Sequence, residues 1–230
     1  MRLDYFIANA SALSRRDAKR AISAGLVQVD GQVCRKAGSP VAPESAITLD
    51  GQPLALPGDR YLMLHKPEGV ISATTDSQQP TALDLLPADV RPGLHIAGRL
   101  DADTTGLLLL TTDGQWSHRI TSPRVNCPKT YRATLSEPIS SGAIALLEKG
   151  VTLRNESRPT SPARVERLED RLIDLTISEG RYHQVRRMLA AVGNHVEGLH
   201  RWRIGAVTLD PDLSPGQYRE LTAAEVERLA

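Results

Sequence analysis

Aromatic residues are scarce in this chain: one phenylalanine, two tryptophans and five tyrosines among 230 residues. Each ring therefore carries more weight as a candidate platform for a flat ligand, although packing remains the ordinary role of any one of them. Only two cysteines occur, Cys34 and Cys127, far apart and outside any C-x-x-C spacing, which argues against a disulfide framework and a cysteine zinc site. The six histidines form no H-x-x-x-H pair, so neither a metal nor another cofactor is expected. No apolar leader follows Met1-Arg2-Leu3-Asp4, and the longest aliphatic run, Leu107 to Leu110, is too short to cross a bilayer. The expectation is a cytoplasmic chain without a membrane span. A net charge of +1 argues against nucleic-acid binding by bulk attraction, so any RNA site must be a local cluster.

What is present suits a folded protein throughout. Hydrophobic residues make up 40% and charged residues 24%, and 230 residues leave room for two modest domains. The segment Ser14-Arg15-Arg16-Asp17 opens a helix, with a hydroxyl and a carboxylate placed to satisfy exposed amides, and Gly25 supplies the stop. Ala18, Ala21 and Ile22 recur at helical spacing, while Arg15, Arg16, Lys19 and Arg20 form two basic pairs four residues apart. Alternation in Leu26 to Val33 around Asp30-Gly31 then predicts a hairpin.

This helix and hairpin, with Arg2-Leu3-Asp4 ahead of them, resemble the S4 RNA-binding domain of ribosomal proteins and RNA-modifying enzymes. The resemblance covers residues 1–52 and implies that Arg15, Arg16, Lys19 and Arg20 contact phosphates, which supply affinity and register but little sequence information. Prolines 53 and 57 with Gly58 predict a linker over 53–60. A second domain is expected over 61–230. In it, residues 61–64, 107–112, 129–135, 171–178 and 206–209 read as strands, and 81–86, 116–121, 139–149 and 183–192 as helices. Their order lacks regular strand-helix alternation, so the fold class is α+β with a largely antiparallel mixed sheet.

The densest chemistry lies in Gly98-Arg99-Leu100-Asp101-Ala102-Asp103-Thr104-Thr105-Gly106. A calcium loop fails because its twelfth position is Thr112 where a glutamate is needed. A phosphate cradle fails because no G-K-[ST] follows the glycines. A D-x-D-x-T phosphotransferase pattern fits Asp101, Asp103 and Thr105 and stands as a rival, although the strand before it is broken by Gly98 and Arg99. A tight hydrogen-bonded turn is the bland alternative.

Gly98-Arg99-Leu100-Asp101 with Thr104 to Thr111 resembles the catalytic signature of the pseudouridine synthases, more narrowly their RsuA-type branch. Three further segments agree in order: Lys66-Pro67-Glu68-Gly69, Lys129-Thr130-Tyr131, and Glu179 to Met188, followed by Leu199, Arg201, Ile204 and Gly205. The segments 114–124 and Gly193 to Val196 are most similar to enzymes acting on small-subunit (16S) ribosomal RNA. One departure is Pro128, where that pattern has a glutamate.

The resemblance implies a monomeric isomerase that turns a uridine of structured ribosomal RNA, free or in an assembly particle, into pseudouridine. It assigns Asp101 as catalytic carboxylate, Tyr131 as the ring receiving the flipped base, and Arg186 as the guanidinium beside Asp101. An arginine suits that task because it stays charged when buried and grips a carboxylate through two donors. Asp101 is expected to be ionised in a water-poor pocket, acting as nucleophile or as base. Arg99, Lys66, Lys129 and Arg181 are assigned to RNA contacts. A non-catalytic RNA-binding module is the alternative from another class.

Overall fold

The computed structural model describes residues 1–42, 44–122 and 124–229; Pro123, part of the 114–124 segment, and Ala230 lie outside the described residues. The chain divides into two compact units, Met1–Asp59 and Arg60 onward.

In the first unit, α1 (Leu3–Ala10) and α2 (Arg15–Ala24) precede four short strands: β1 (Val27–Val29), β2 (Gln32–Val33), β3 (Ile47–Leu49) and β4 (Gln52–Leu54). The Ser14 hydroxyl accepts from the Asp17 amide, and Gly25, at φ +82°, ends α2 by adopting the left-handed conformation open to glycine. Two antiparallel hairpins follow, each turning on Asp-Gly with both residues at positive φ: Asp30-Gly31 and Asp50-Gly51. The sheet runs β2-β1-β3-β4. Thus β4 occupies part of the stretch expected as linker. Pro53 is tolerated because β4 is an edge strand, where a missing amide donor deprives no neighbour. The core gathers Leu3, Phe6, Ile7, Ala18, Ile22, Val27, Val41 and Ile47.

The second unit is built on a nine-stranded sheet whose main path runs β13-β5-β7-β11-β8-β10-β9, with β6 on β7 and β12 on β11. Its strands are β5 (Tyr61–Lys66), β6 (His95–Ala97), β7 (Thr104–Thr111), β8 (Lys129–Leu135), β9 (Arg164–Glu169), β10 (Leu172–Ile177), β11 (Val196–Ile204), β12 (Val207–Thr208) and β13 (Tyr218–Glu220). Among the described strands of this sheet only β7 and β11 pair in parallel, so the sheet is mixed and mostly antiparallel. Among the described residues four helices accompany it, α3 (Gly114–Thr121), α4 (Ser141–Lys149), α5 (Gln184–Ala191) and α6 (Ala223–Arg228), and residues 82–85 form a 3-10 turn.

The aliphatic run of β7 is buried on both faces: Leu108 and Leu110 pack with Leu62 and Leu64, and Leu107 and Leu109 with Met63 and Trp116. Such two-sided burial explains why its sequence is continuous rather than alternating. Gly106 sits where β7 meets β11, at φ +108°, and a Cβ there would lie 2.2 Å from the Arg201 carbonyl oxygen. Only glycine permits that approach. Pro128 stands one residue before β8, where it removes no ladder donor, and its carbonyl accepts from the Gly205 amide at 2.7 Å. Among the described residues, no helix is long and apolar enough to cross a membrane.

Candidate active site

Asp101 lies in the six-residue loop joining β6 to β7, held from below on both sides. On one side, the buried Ser72 hydroxyl donates to the Leu100 carbonyl at 2.7 Å and accepts from the Leu100 amide at 2.9 Å. On the other, the Lys66 ammonium donates to the carbonyls of Pro67, Ala102 and Thr104 at 2.9, 3.3 and 2.8 Å. The Gly69 amide also donates to the Ala102 carbonyl. The peptide groups around Asp101 are therefore pinned.

Lys66 is fully buried, which corrects its assignment as an RNA contact: its charge faces three carbonyls rather than solvent. The reason is positional, since Lys66 ends β5, opposite Gly106, directly under the loop. Burial, opposed by the nearby Asp103 and Asp101 carboxylates, lowers its pKa from 10.5 to about 8. Between those values the unfolded chain holds a proton that the folded chain gives up. The resulting stability is fully present above 10.5 and is lost as pH falls through about 8. Urea midpoints measured from about pH 7.5 to about pH 10.5 should therefore rise for the wild type relative to Lys66→Met; a pH-independent difference would contradict this.

Asp101 lines a cavity of about 560 Å³, together with Arg99, Lys129, Tyr131, Tyr182, His183 and Arg186. That volume falls within the range of about 300–1,000 Å³ usual for small-ligand sites. The Asp101 side chain is 39% exposed, wetter than expected, and its carboxylate lies 3.3 Å from His183 Nε2. Arg186, in the first turn of α5, pairs instead with Asp103 at 3.0 Å and donates to the Val196 carbonyl at 3.0 Å. The expected direct Asp101–Arg186 pair is thus replaced by two neighbouring pairs. The Arg186 Nε is buried and, among the described residues, has no hydrogen-bond partner.

Beneath the cleft lies Arg201, only 2% exposed, named from sequence only as part of a terminal motif. Its guanidinium donates to the carbonyls of Leu107, Arg99 and Gly98 and to the Tyr131 hydroxyl, at 2.9, 3.3, 3.2 and 3.3 Å. It also sits 5.8 Å from the centre of the Tyr131 ring. Tyr131, opposite Arg201 in the β8–β11 ladder, is thereby fixed by the same group that holds the 98–99 peptides.

The remaining cations separate into paired and free. Lys129 lines the cleft, yet its ammonium donates to the carbonyls of Ile120 and Cys127, and burial lowers its pKa. Arg181 lines the cleft too but is committed to Glu156 and Glu179, at 2.6 and 3.2 Å. Arg99 is exposed and has no acidic partner among the described residues. In the first unit, Arg15 and Lys19 lean on the fully buried Asp4 carboxylate at 3.3 and 3.9 Å, and Arg20 pairs with Asp17 at 3.2 Å. Arg16 is exposed without an ion pair among the described residues.

Comparison with known proteins accounts for both units. The S4 domain profile matches residues 1–60, and the RNA pseudouridylate synthase profile matches residues 60–191. Ribosomal small subunit pseudouridine synthase A of Escherichia coli K12 is 53% identical over 227 residues, covering 98% of each chain. The protein of that name from Haemophilus influenzae is 47% identical over 230 residues, covering 100% of this chain and 99% of its own. A solved pseudouridylate synthase structure superposes with a TM-score of 0.74 at 46% identity, covering both chains fully. With its loop-borne aspartate, tethered tyrosine and neighbouring arginine in one cleft, the chain belongs to the RNA pseudouridylate synthase family.

Proposed function

We propose that this chain isomerises a specific uridine of small-subunit (16S) ribosomal RNA to pseudouridine, with Asp101 as the catalytic carboxylate. The observation that carries this reading is the placement of Asp101 on a pinned loop, facing a nucleoside-sized cavity that it shares with Tyr131 and Arg186. The reaction breaks the bond from uracil N1 to the ribose C1′ and makes one from C5 to C1′; C5 loses its proton and N1 gains one. Base flipping brings the uridine into the cleft at a cost of a few kcal/mol, offset by stacking on Tyr131 and by contacts to the backbone. Asp101 acts on the ribose or the base as nucleophile or base. Arg186, one carboxylate away, supplies a cation that opposes its negative charge.

The D-x-D-x-T phosphotransferase alternative needs both carboxylates on one metal. Here Asp101 faces the cleft, whereas Asp103 is taken by Arg186 and lines a second cavity. A pure binding module leaves a nucleoside-sized cleft with a carboxylate in it unexplained. The identity of the relatives over nearly the whole chain supports the small-subunit target. The two unpaired cysteines suit a reducing cytoplasm.

Mapping pseudouridines in ribosomal RNA from cells lacking the protein tests the target: loss of one small-subunit modification, restored by the wild type and not by Asp101→Asn, is expected. An unchanged 16S map would overturn it. For the first unit, replacing Arg15, Arg16, Lys19 and Arg20 together by alanine should weaken RNA binding and flatten its dependence on salt by about two to three charge equivalents. The pairing of Arg15 and Lys19 with Asp4 makes a full four unattainable. An unaltered slope would remove these residues from the interface.

A further inference from the structure

We infer that Tyr182 and His183 form a stacking platform at the cleft rim for an unpaired nucleobase next to the target uridine. The inference deepens the RNA-isomerase reading and rests on it. Tyr182 is 77% exposed, and among the described residues no other large hydrophobic side chain is as open to water. Its ring is not loose on the surface: it lies on the His183 imidazole, centroid to centroid 3.9 Å, with the planes 17° apart. One ring face is covered and the other is presented, in the parallel arrangement that nucleobases adopt with aromatic side chains.

The platform stands on a rigid support. Arg181, before it, is tied to Glu156 and Glu179 and to the carbonyls of Arg158 and Pro159. Arg187, after it, donates to the Tyr182 carbonyl at 3.1 Å and pairs with the same Glu156 at 2.6 Å. His183 itself takes the left-handed conformation, φ +46° and ψ +37°, sparsely used by residues other than glycine, immediately before α5. That turn aims the imidazole into the cleft, where Nε2 lies 3.3 Å from Asp101 Oδ1. The stack thus runs from solvent through Tyr182 and His183 to the carboxylate.

Continuity with the cleft identifies the occupant. A uridine flipped from a polynucleotide carries its neighbours to the rim, and a neighbour unstacked by the flip has lost a π-face partner. Both rings line the same cavity as Asp101 and Tyr131. Arg99, exposed on that lining without an acidic partner among the described residues, is available to the intervening phosphate.

The test uses the full-length protein, 16S RNA fragments and two readouts, equilibrium binding and tritium release from uridine labelled at C5. Tyr182→Ala is expected to weaken binding about tenfold. Tyr182→Phe should restore affinity, whereas Tyr182→Leu should not, because the platform requires a π-face. The salt slope should be the same for all of them, since no ion contact is removed. RNA lacking the base at one position beside the target should lose the same factor with the wild type and nothing further with Tyr182→Ala. Wild-type affinity for Tyr182→Ala, or equal losses for alanine and phenylalanine, would overturn the platform. A wild type that binds RNA without releasing tritium would instead overturn the enzymatic reading beneath it.

Discussion

Asp101→Asn is expected to lower tritium release from C5-labelled uridine by at least about 10³-fold while leaving RNA affinity within about threefold of the wild type. Asparagine matches the carboxylate in size, and its amide oxygen can still face His183, so the loop held by Ser72 and Lys66 has no reason to move. What disappears is the negative charge and with it the capacity to attack or to take a proton. Binding survives because the surrounding cations and Tyr131 are untouched. Steady-state release and filter binding on the same preparations separate the two; activity within tenfold of the wild type would assign the chemistry to another group.

The second large effect is expected at Arg201, where Arg201→Met should destabilise the fold by about 2–4 kcal/mol and cut the rate by about 10²-fold. Methionine fills much of the volume, so the loss is chiefly of donors: the carbonyls of Gly98 and Arg99 and the Tyr131 hydroxyl lose their shared partner. Two parts of the site, the loop before Asp101 and the ring that receives the base, are then free to drift apart. Arg201→Lys should rescue little, because an ammonium gathers its donors at one point, whereas the carbonyls of Leu107, Arg99 and Gly98 are reached by three separate nitrogens spread along the edge of a planar fork. Urea unfolding gives the stability and tritium release the rate; a lysine variant equal to the wild type in both would deny Arg201 this tethering role.

Much of this was legible from the residues because local rules and tertiary demands agree. Ser14 and Gly25 bracket α2, Asp30-Gly31 turns the first hairpin, and residues 129–135 form a strand at the bounds their alternation predicts. The same Asp-Gly signal at Asp50-Gly51 makes a second hairpin, hidden in sequence by Pro53, which reads as a breaker until its strand is found at an edge. The central strand β11 was invisible: its alternation is interrupted by register shifts near Gly198 and Trp202 and by an arginine at a buried position. Burial of Arg201 depends on carbonyls from Gly98, Arg99 and Leu107, about a hundred residues away, which no local pattern encodes.

The site shows the same division. Asp101, Tyr131 and Arg186 were marked by motif, and the cleft brings them together. Their partners were not: charge counting offers Arg186 to either carboxylate, and only the position of α5 beside the β7 start selects Asp103. A lysine in a turn motif reads as exposed, whereas β5 carries Lys66 under the loop, out of reach of RNA. Tyr182 and His183 lie within the Glu179 to Met188 motif, but neither that motif nor the rarity of aromatics tells that the two rings stack at the cleft rim.

The most direct test is to mix the wild type with 16S RNA carrying tritium at every uridine C5, in buffer containing a chelator. One tritium released per RNA molecule, followed by one pseudouridine in the digested product, is the predicted outcome. RNA bound tightly with all its tritium retained would contradict the account.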